Sequence, residues 1–158
     1  EEERLQLAKS VLDTALKKGV EILLPVDHVV AKAFDEHAEH RVIDTSGFEA
    51  DDMGLDIGPE SRMQFAGALK DAKTIFWNGP MGVFEWDAFA AGTMTVMEAV
   101  AGNRKAFSVV GGGDSVAAVN KGGAHDRISH VSTGGGASLE LIEGKKLPGL
   151  VALGYDFA

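Results

Sequence analysis

Two segments of this chain follow one pattern. Val109–Val119 reads VVGGGDSVAAV and Val131–Leu141 reads VSTGGGASLEL: a β-branched run, three glycines, then small and apolar residues at helical spacing. Glycine loses more conformational freedom on folding than any other residue. Ordering three of them together at two corresponding places therefore narrows the folds open to the chain. A strand that ends in such a turn and re-enters a helix belongs to a layered α/β design.

The rest of the chain carries the same alternation. Residues 3–18 place Leu5, Ala8, Val11, Leu12, Ala15 and Leu16 on one helical stripe, ended by Lys17, Lys18 and Gly19. VEILLP reads as a short strand stopped by Pro25, and residues 29–57 give only a weak strand at 41–44 within a polar loop. IGPESRMQFAGALKDA reads as a helix, with Pro59 in its first turn and Met63, Ala66, Leu69 and Ala72 as its buried face. TIFW is a strand ending at Asn78. Residues 86–101 form a helix with Phe89, Ala90, Met97 and Val100 apolar and Gly102 as its stop. AFSVV is a strand, Asp114–Lys121 a helix ended by Gly122 and Gly123, ISHVS a strand and Ala137–Glu143 a short helix. LPG makes a turn into the apolar tail LVAL. Strands that alternate with helices predict an α/β fold, a doubly wound parallel sheet with right-handed crossovers. The near-continuous apolar runs of TIFW and AFSVV agree.

At 158 residues the chain has the size of one domain, and its 45% apolar content can build a core. Its net charge of −9 and five scattered arginines (Arg4, Arg41, Arg62, Arg104, Arg127) argue against a nucleic-acid footprint. With no cysteine there is no disulfide framework or thiolate metal site, which fits a reducing, cytoplasmic setting. No apolar run is long enough for a bilayer and no secretory signal is visible, so no membrane partner is expected. The start EEERL, without Met and already helical in pattern, reads as a piece of a longer protein.

If the strands are parallel, the loops WNGPMGVFE, GGGDS and TGGGAS meet at one sheet edge, where ligands of such folds bind. Glycines there let backbone N–H groups reach an anion, and each helix start adds unpaired N–H groups. That suits a polyphosphate or a moving phosphoryl group. Each loop also has a bland reading as tight packing. GGGDSV has Val116 where G-x-G-x-x-G needs its last glycine, which weakens an unrelated dinucleotide oxidoreductase, and no G-x4-G-K-[ST] loop occurs. Asp114 reads either as a helix N-cap or as the carboxylate that places Mg2+ between itself and phosphate. Ser115 reads as a phosphate donor or a cap, Glu85 as a dipole partner or a ribose contact, and Asn78 as a turn former or a crevice contact. Pro80 stiffens its loop. His37 and His40 read as solvated surface, His130 as a packing or hydrogen-bonding residue, and Met94 and Met97 as core.

LLPVD, DIGPES, FWNGPMGVFE, VVGGGDSVAAV and HVSTGGGASLELIEGKKLPG occur in the order seen in phosphoglycerate kinases. On these stretches the chain resembles that family, specifically its C-terminal nucleotide-binding lobe. The resemblance implies a Rossmann-like, incomplete C-terminal lobe of a two-lobe kinase over 1–158, without the N-terminal substrate domain or the lobe's first strands. It implies that Gly112, Gly113, Asp114 and Ser115 hold the phosphates and Mg2+ of ATP or ADP, with Asp114 on the metal. It implies that Glu85 meets the ribose, that Asn78, Pro80, Gly82 and Val83 line the nucleotide site, and that Gly134, Gly135 and Gly136 face the transferring phosphoryl group. The implied reaction moves the acyl phosphate of 1,3-bisphosphoglycerate to ADP, giving 3-phosphoglycerate and ATP in glycolysis. The whole enzyme is expected to be a monomer. The chain alone is expected to be inactive, a catalytically silent nucleotide- or phosphate-binding module, and to self-associate through uncovered apolar faces.

Overall fold

A computed structural model describes residues 2–155; the ends of the 1–158 expectation lie outside the described residues. Helix α1 spans Glu2–Lys18. Gly19, at φ +66°, ends it by donating to Leu16 O while Val20 N reaches Ala15 O. The expected strand at VEILL is absent. Residues 20–26 are irregular, because no described strand pairs with them, and Val20, Ile22, Leu24 and Val26 are exposed.

The strand lies just beyond Pro25 instead. β1 (Asp27–Ala31) is flanked by antiparallel β2 (His40–Asp44) and β3 (Met53–Ile57) in the order β2-β1-β3. This antiparallel sheet stands beside the expected parallel one and was not anticipated. The central β1 is buried almost throughout, so its sequence DHVVA lacks the alternation that marks a half-exposed strand. The edge strand β2 alternates, and that is the part the sequence revealed.

The second sheet has the order β4-β5-β6, from β4 (Thr74–Asn78), β5 (Phe107–Gly111) and β6 (His130–Ser132), all parallel as expected. The connecting helices are α2 (Pro59–Leu69) before β4, α3 (Ala91–Gly102) after a 3-10 turn at Asp87–Phe89, α4 (Gly113–Lys121) and α5 (Gly135–Ile142). LPG does not simply turn: Pro148 opens a short helix, α6 (Pro148–Ala152).

The main core joins Ile75 and Trp77 of β4, Val110 of β5, Val96, Met97 and Val100 of α3, and Val119 of α4. A smaller core joins Val29, Ala31, Leu55 and Phe89. Met63 is 71% exposed, against expectation; α2 turns Ser61 inward, with Phe65 and Leu69 packed on the core. His130 is exposed rather than packed. The stripe of α1 is uncovered, from Leu5 at 64% to Leu16 at 81% exposed, so an apolar helix face does lie open.

Candidate functional site

The parallel register aligns Asn78, Gly111 and Ser132, so the three strand-to-helix loops start level at one edge. They also touch. Gly112 N–H donates to Ser132 O at 3.1 Å. A Cβ on Gly135 would stand 2.6 Å from Gly112 Cα and 2.6 Å from Asn78 Oδ1. Gly112 itself sits at φ +92°, a conformation that L side chains rarely adopt. Asn78, Gly112 and Gly135 thus form one knot, and close approach accounts for glycine at these two positions.

Gly113 and Gly136 are different. Nothing lies within 4 Å of a Cβ on either, and each stands in the first turn of a helix, α4 or α5. Neither helix has a side-chain cap. Gly112 is the N-cap of α4, so Asp114 occupies the first turn and does not cap it. Its exposed carboxylate makes no hydrogen bond or ion pair among the described residues.

Ser115 is 1% exposed, and its Oγ accepts the Gly79 N–H at 2.7 Å. It ties the loop after β4 to the start of α4. At the other end of α4, Lys121 Nζ donates to Phe84 O at 2.9 Å and to Glu85 O at 3.4 Å, and pairs with Asp87 at 2.9 Å. The loop carrying Asn78, Pro80, Gly82, Val83 and Glu85 therefore runs beside α4, tied at points about 9 Å apart along the helix. The side chain of Glu85 is exposed.

The same loop is anchored from behind. Val83 N donates to Leu55 O at 2.8 Å, and Met81 N to the buried Thr93 Oγ1 at 3.0 Å. A Cβ on Gly82 would come 2.5 Å from Leu55 O and 2.6 Å from Asp56 Oδ1. Asp56 is 3% exposed; its Oδ2 accepts Gly92 N–H at 2.7 Å and its Oδ1 accepts Ile57 N–H at 2.9 Å. Burial pushes its carboxyl above the ordinary aspartate value, against the pull of those N–H groups and of Arg62.

Asp27 shows the opposite balance. Burial works to raise it, but the Ser61 hydroxyl, the Ser61 and Glu60 N–H groups and the Arg62 charge together bring it lower. The Ser61 hydroxyl donates to Asp27 Oδ1 at 2.6 Å and its oxygen accepts Val26 N–H at 2.9 Å. LLPVD and DIGPES are therefore two halves of one clasp. Asp27, Asp56, Thr93 and Lys121 carry these ties; Thr93 and Lys121 read only as helix, Asp56 fell in a stretch that read as polar loop, and Asp27 lay in no expected element. The partners lie 12 to 37 residues away, a separation that short-range periodicity does not register.

A hard cation fits the open edge in one respect. Asp114 offers an oxygen ligand without a partner beside bare helix N–H groups, where a bound phosphate would supply further oxygens. No group of three or more His, Cys, Asp or Glu that could hold a metal occurs among the described residues, and Mg2+, which keeps water and phosphate ligands, needs none. No helix among them is long and apolar enough to cross a membrane.

The family model described as phosphoglycerate kinase matches residues 1–145. A phosphoglycerate kinase of Koribacter versatilis is 56% identical over 154 residues, covering 97% of this chain and 38% of that protein. The cytosolic enzyme of Triticum aestivum is 52% identical, with 97% and 39% covered. The solved phosphoglycerate kinase of Coxiella burnetii superposes with a TM-score of 0.87 at 42% identity, over 92% of this chain and 38% of that one. That of Pyrococcus horikoshii gives 0.77 at 37% identity, over 96% and 36%. The chain thus spans about two fifths of the length of these relatives and belongs to the phosphoglycerate kinase family.

Proposed function

We propose that this chain forms the nucleotide side of a phosphoglycerate kinase active site. The observation that carries the reading is the pair of touching glycine loops, which leave two uncapped helix N-termini open at one edge beside an unpartnered carboxylate. Gly112, Gly113 and the first turn of α4 would receive the phosphates of ADP or ATP. Asp114 would hold Mg2+, which neutralises phosphate charge when bound. Ser115 would act through the loop it ties to α4. Glu85 would meet the ribose, along a wall made by Asn78, Pro80, Gly82 and Val83. Gly134, Gly135 and Gly136, with the start of α5, would stabilise the phosphoryl group in transit.

The reaction breaks the bond between the acyl oxygen and phosphorus of 1,3-bisphosphoglycerate and forms one from phosphorus to a β-phosphate oxygen of ADP. It leaves 3-phosphoglycerate and ATP. Such transfers depend on positioning and on charge stabilisation. Binding of the phosphoglycerate, and turnover, would need the parts of the relatives that lie outside the matched two fifths. We place the activity in the cytoplasm.

Calorimetry tests this. Mg2+ is expected to tighten ADP binding at this edge, and Asp114→Ala to weaken MgADP binding by at least about tenfold. Unchanged affinity would remove Asp114 from the metal. A coupled assay for ATP is expected to show no turnover by the 158 residues alone; sustained turnover, free of contaminants, would show that they suffice. The open face of α1 is expected to drive self-association, read by light scattering, and a monomer at high concentration would count against it.

A further inference from the structure

At the opposite end of the parallel sheet, a cleft of about 630 Å³ lies between the last turns of α2 and α3 and the segments that lead into β4 and β5. Small residues such as Ala66, Gly67 and Ala99 line it, beside Lys70, Lys73, Arg104 and Lys105. None of these four cations is in an ion pair among the described residues. Of the two acids there, Glu98 is neutralised by Arg127 through bonds of 2.7 and 2.8 Å, leaving only Asp71. The two helix C-termini add about half a negative charge each, so the cleft stays roughly two charges positive. The chain as a whole carries −9.

The cleft is also braced. The Asn103 side-chain amide donates to Leu69 O at 2.9 Å and Ala72 O at 2.8 Å, and its Oδ1 accepts Lys105 N–H at 3.2 Å. It takes up carbonyls at the end of α2 that would repel an anion, and fixes the segment carrying Arg104 and Lys105. No aromatic residue lines the cleft, so it offers no platform for a base to stack on. A five-residue strand, about 16 Å long, separates it from the glycine loops.

We propose that this cleft is a binding site for a small polyphosphate anion, distinct from the nucleotide edge and recognised by charge alone. Multiply charged phosphate matches four cations spread around an opening of this size, and a nucleobase gains nothing there.

The test is titration of the chain with inorganic tripolyphosphate, without magnesium, by calorimetry at low salt. Saturable one-to-one binding that weakens as salt rises is expected. The triple variant Lys73→Ala/Arg104→Ala/Lys105→Ala should lose at least tenfold in affinity. The variant Lys17→Ala/Lys18→Ala/Lys146→Ala removes the same charge elsewhere and should bind as the parent does. All six side chains are exposed, so both variants should keep the parent's circular dichroism spectrum. Equal losses in the two variants, no loss in the first, or no binding by the parent would each overturn the proposal.

Discussion

Gly92 and Gly113 both stand in the first turn of a helix, α3 and α4, and they differ in what lies beside them. At Gly92 the space a Cβ would need is filled by Asp56, whose carboxylate takes the glycine N–H. At Gly113 the space is empty. The contrast extends to the neighbouring helices. The antiparallel sheet lends α2 the carboxylate of Asp27 and α3 that of Asp56. The parallel sheet lends α4 and α5 nothing of the kind. All four helix starts favour negative charge. Two are satisfied by carboxylates within the protein, and two have no side-chain cap.

The largest effect that could break this comparison is steric. Gly92→Ala drives a methyl into Asp56 and Ile57 and should cost about 3 kcal/mol of stability by urea unfolding. Gly113→Ala should stay within about 0.5 kcal/mol of the parent, since nothing is met and a helical residue gains propensity. Equal losses would mean that the empty space beside α4 is not there in solution.

Next in size is the clasp. Ser61→Ala strands the Val26 and Asp27 N–H groups and a lone pair of the Asp27 carboxylate in a buried site, at a cost of about 2 kcal/mol. Ser138→Ala, which removes a bond from an exposed hydroxyl in the first turns of α5, should cost less than about 0.5 kcal/mol. A small effect at Ser61 would show that α2 does not depend on the carboxylate it borrows from the antiparallel sheet.

The two borrowed carboxylates should titrate with opposite signs. Asp27 is lowered in the folded chain, so its contribution is present above the unfolded aspartate value and is lost as pH falls through its folded value. Asp56 is raised, so the folded chain holds its proton more tightly; stability from this group grows as pH falls through the folded value and is lost as pH rises past it. Carboxyl-carbon NMR across the acid range should find Asp27 below and Asp56 above the ordinary aspartate value. The same order of titration for both would erase the distinction between them.

These particulars also show what could be read from the letters alone. TIFW and AFSVV were legible because buried parallel strands are apolar runs, and ISHVS because a glycine turn closes it. From their direction alone the convergence of WNGPMGVFE, GGGDS and TGGGAS follows. DHVVA was not legible, since a central strand buried on both faces has no alternation and Pro25 marked an end instead of a beginning. Met63 misled because α2 buries Ser61 for a hydrogen bond, where a hydrophobic stripe predicts a greasy residue. Glycine carries both meanings in the same letter. Gly135 is required by a touching backbone and Gly136 meets only open space, a difference that appears only once β5 and β6 are laid side by side.

The smallest effect is at Asp114, and there the sign carries the information. Its exposed carboxylate favours the start of α4 electrostatically, so Asp114→Ala should cost only about 0.5 kcal/mol of stability. Without magnesium, that carboxylate stands beside the N–H groups an anion would use and repels it. Asp114→Ala should therefore strengthen the binding of inorganic phosphate at this edge by a few-fold in magnesium-free buffer, about what one screened charge at short range supplies. Backbone amide shifts of Gly113 and Gly136 report the site directly and separate it from the distant basic cleft. With magnesium and ADP the same substitution should weaken binding. A carboxylate that merely decorates a helix end would move both affinities in the same direction, and that result would leave α4 open for a reason other than a metal-bridged phosphate.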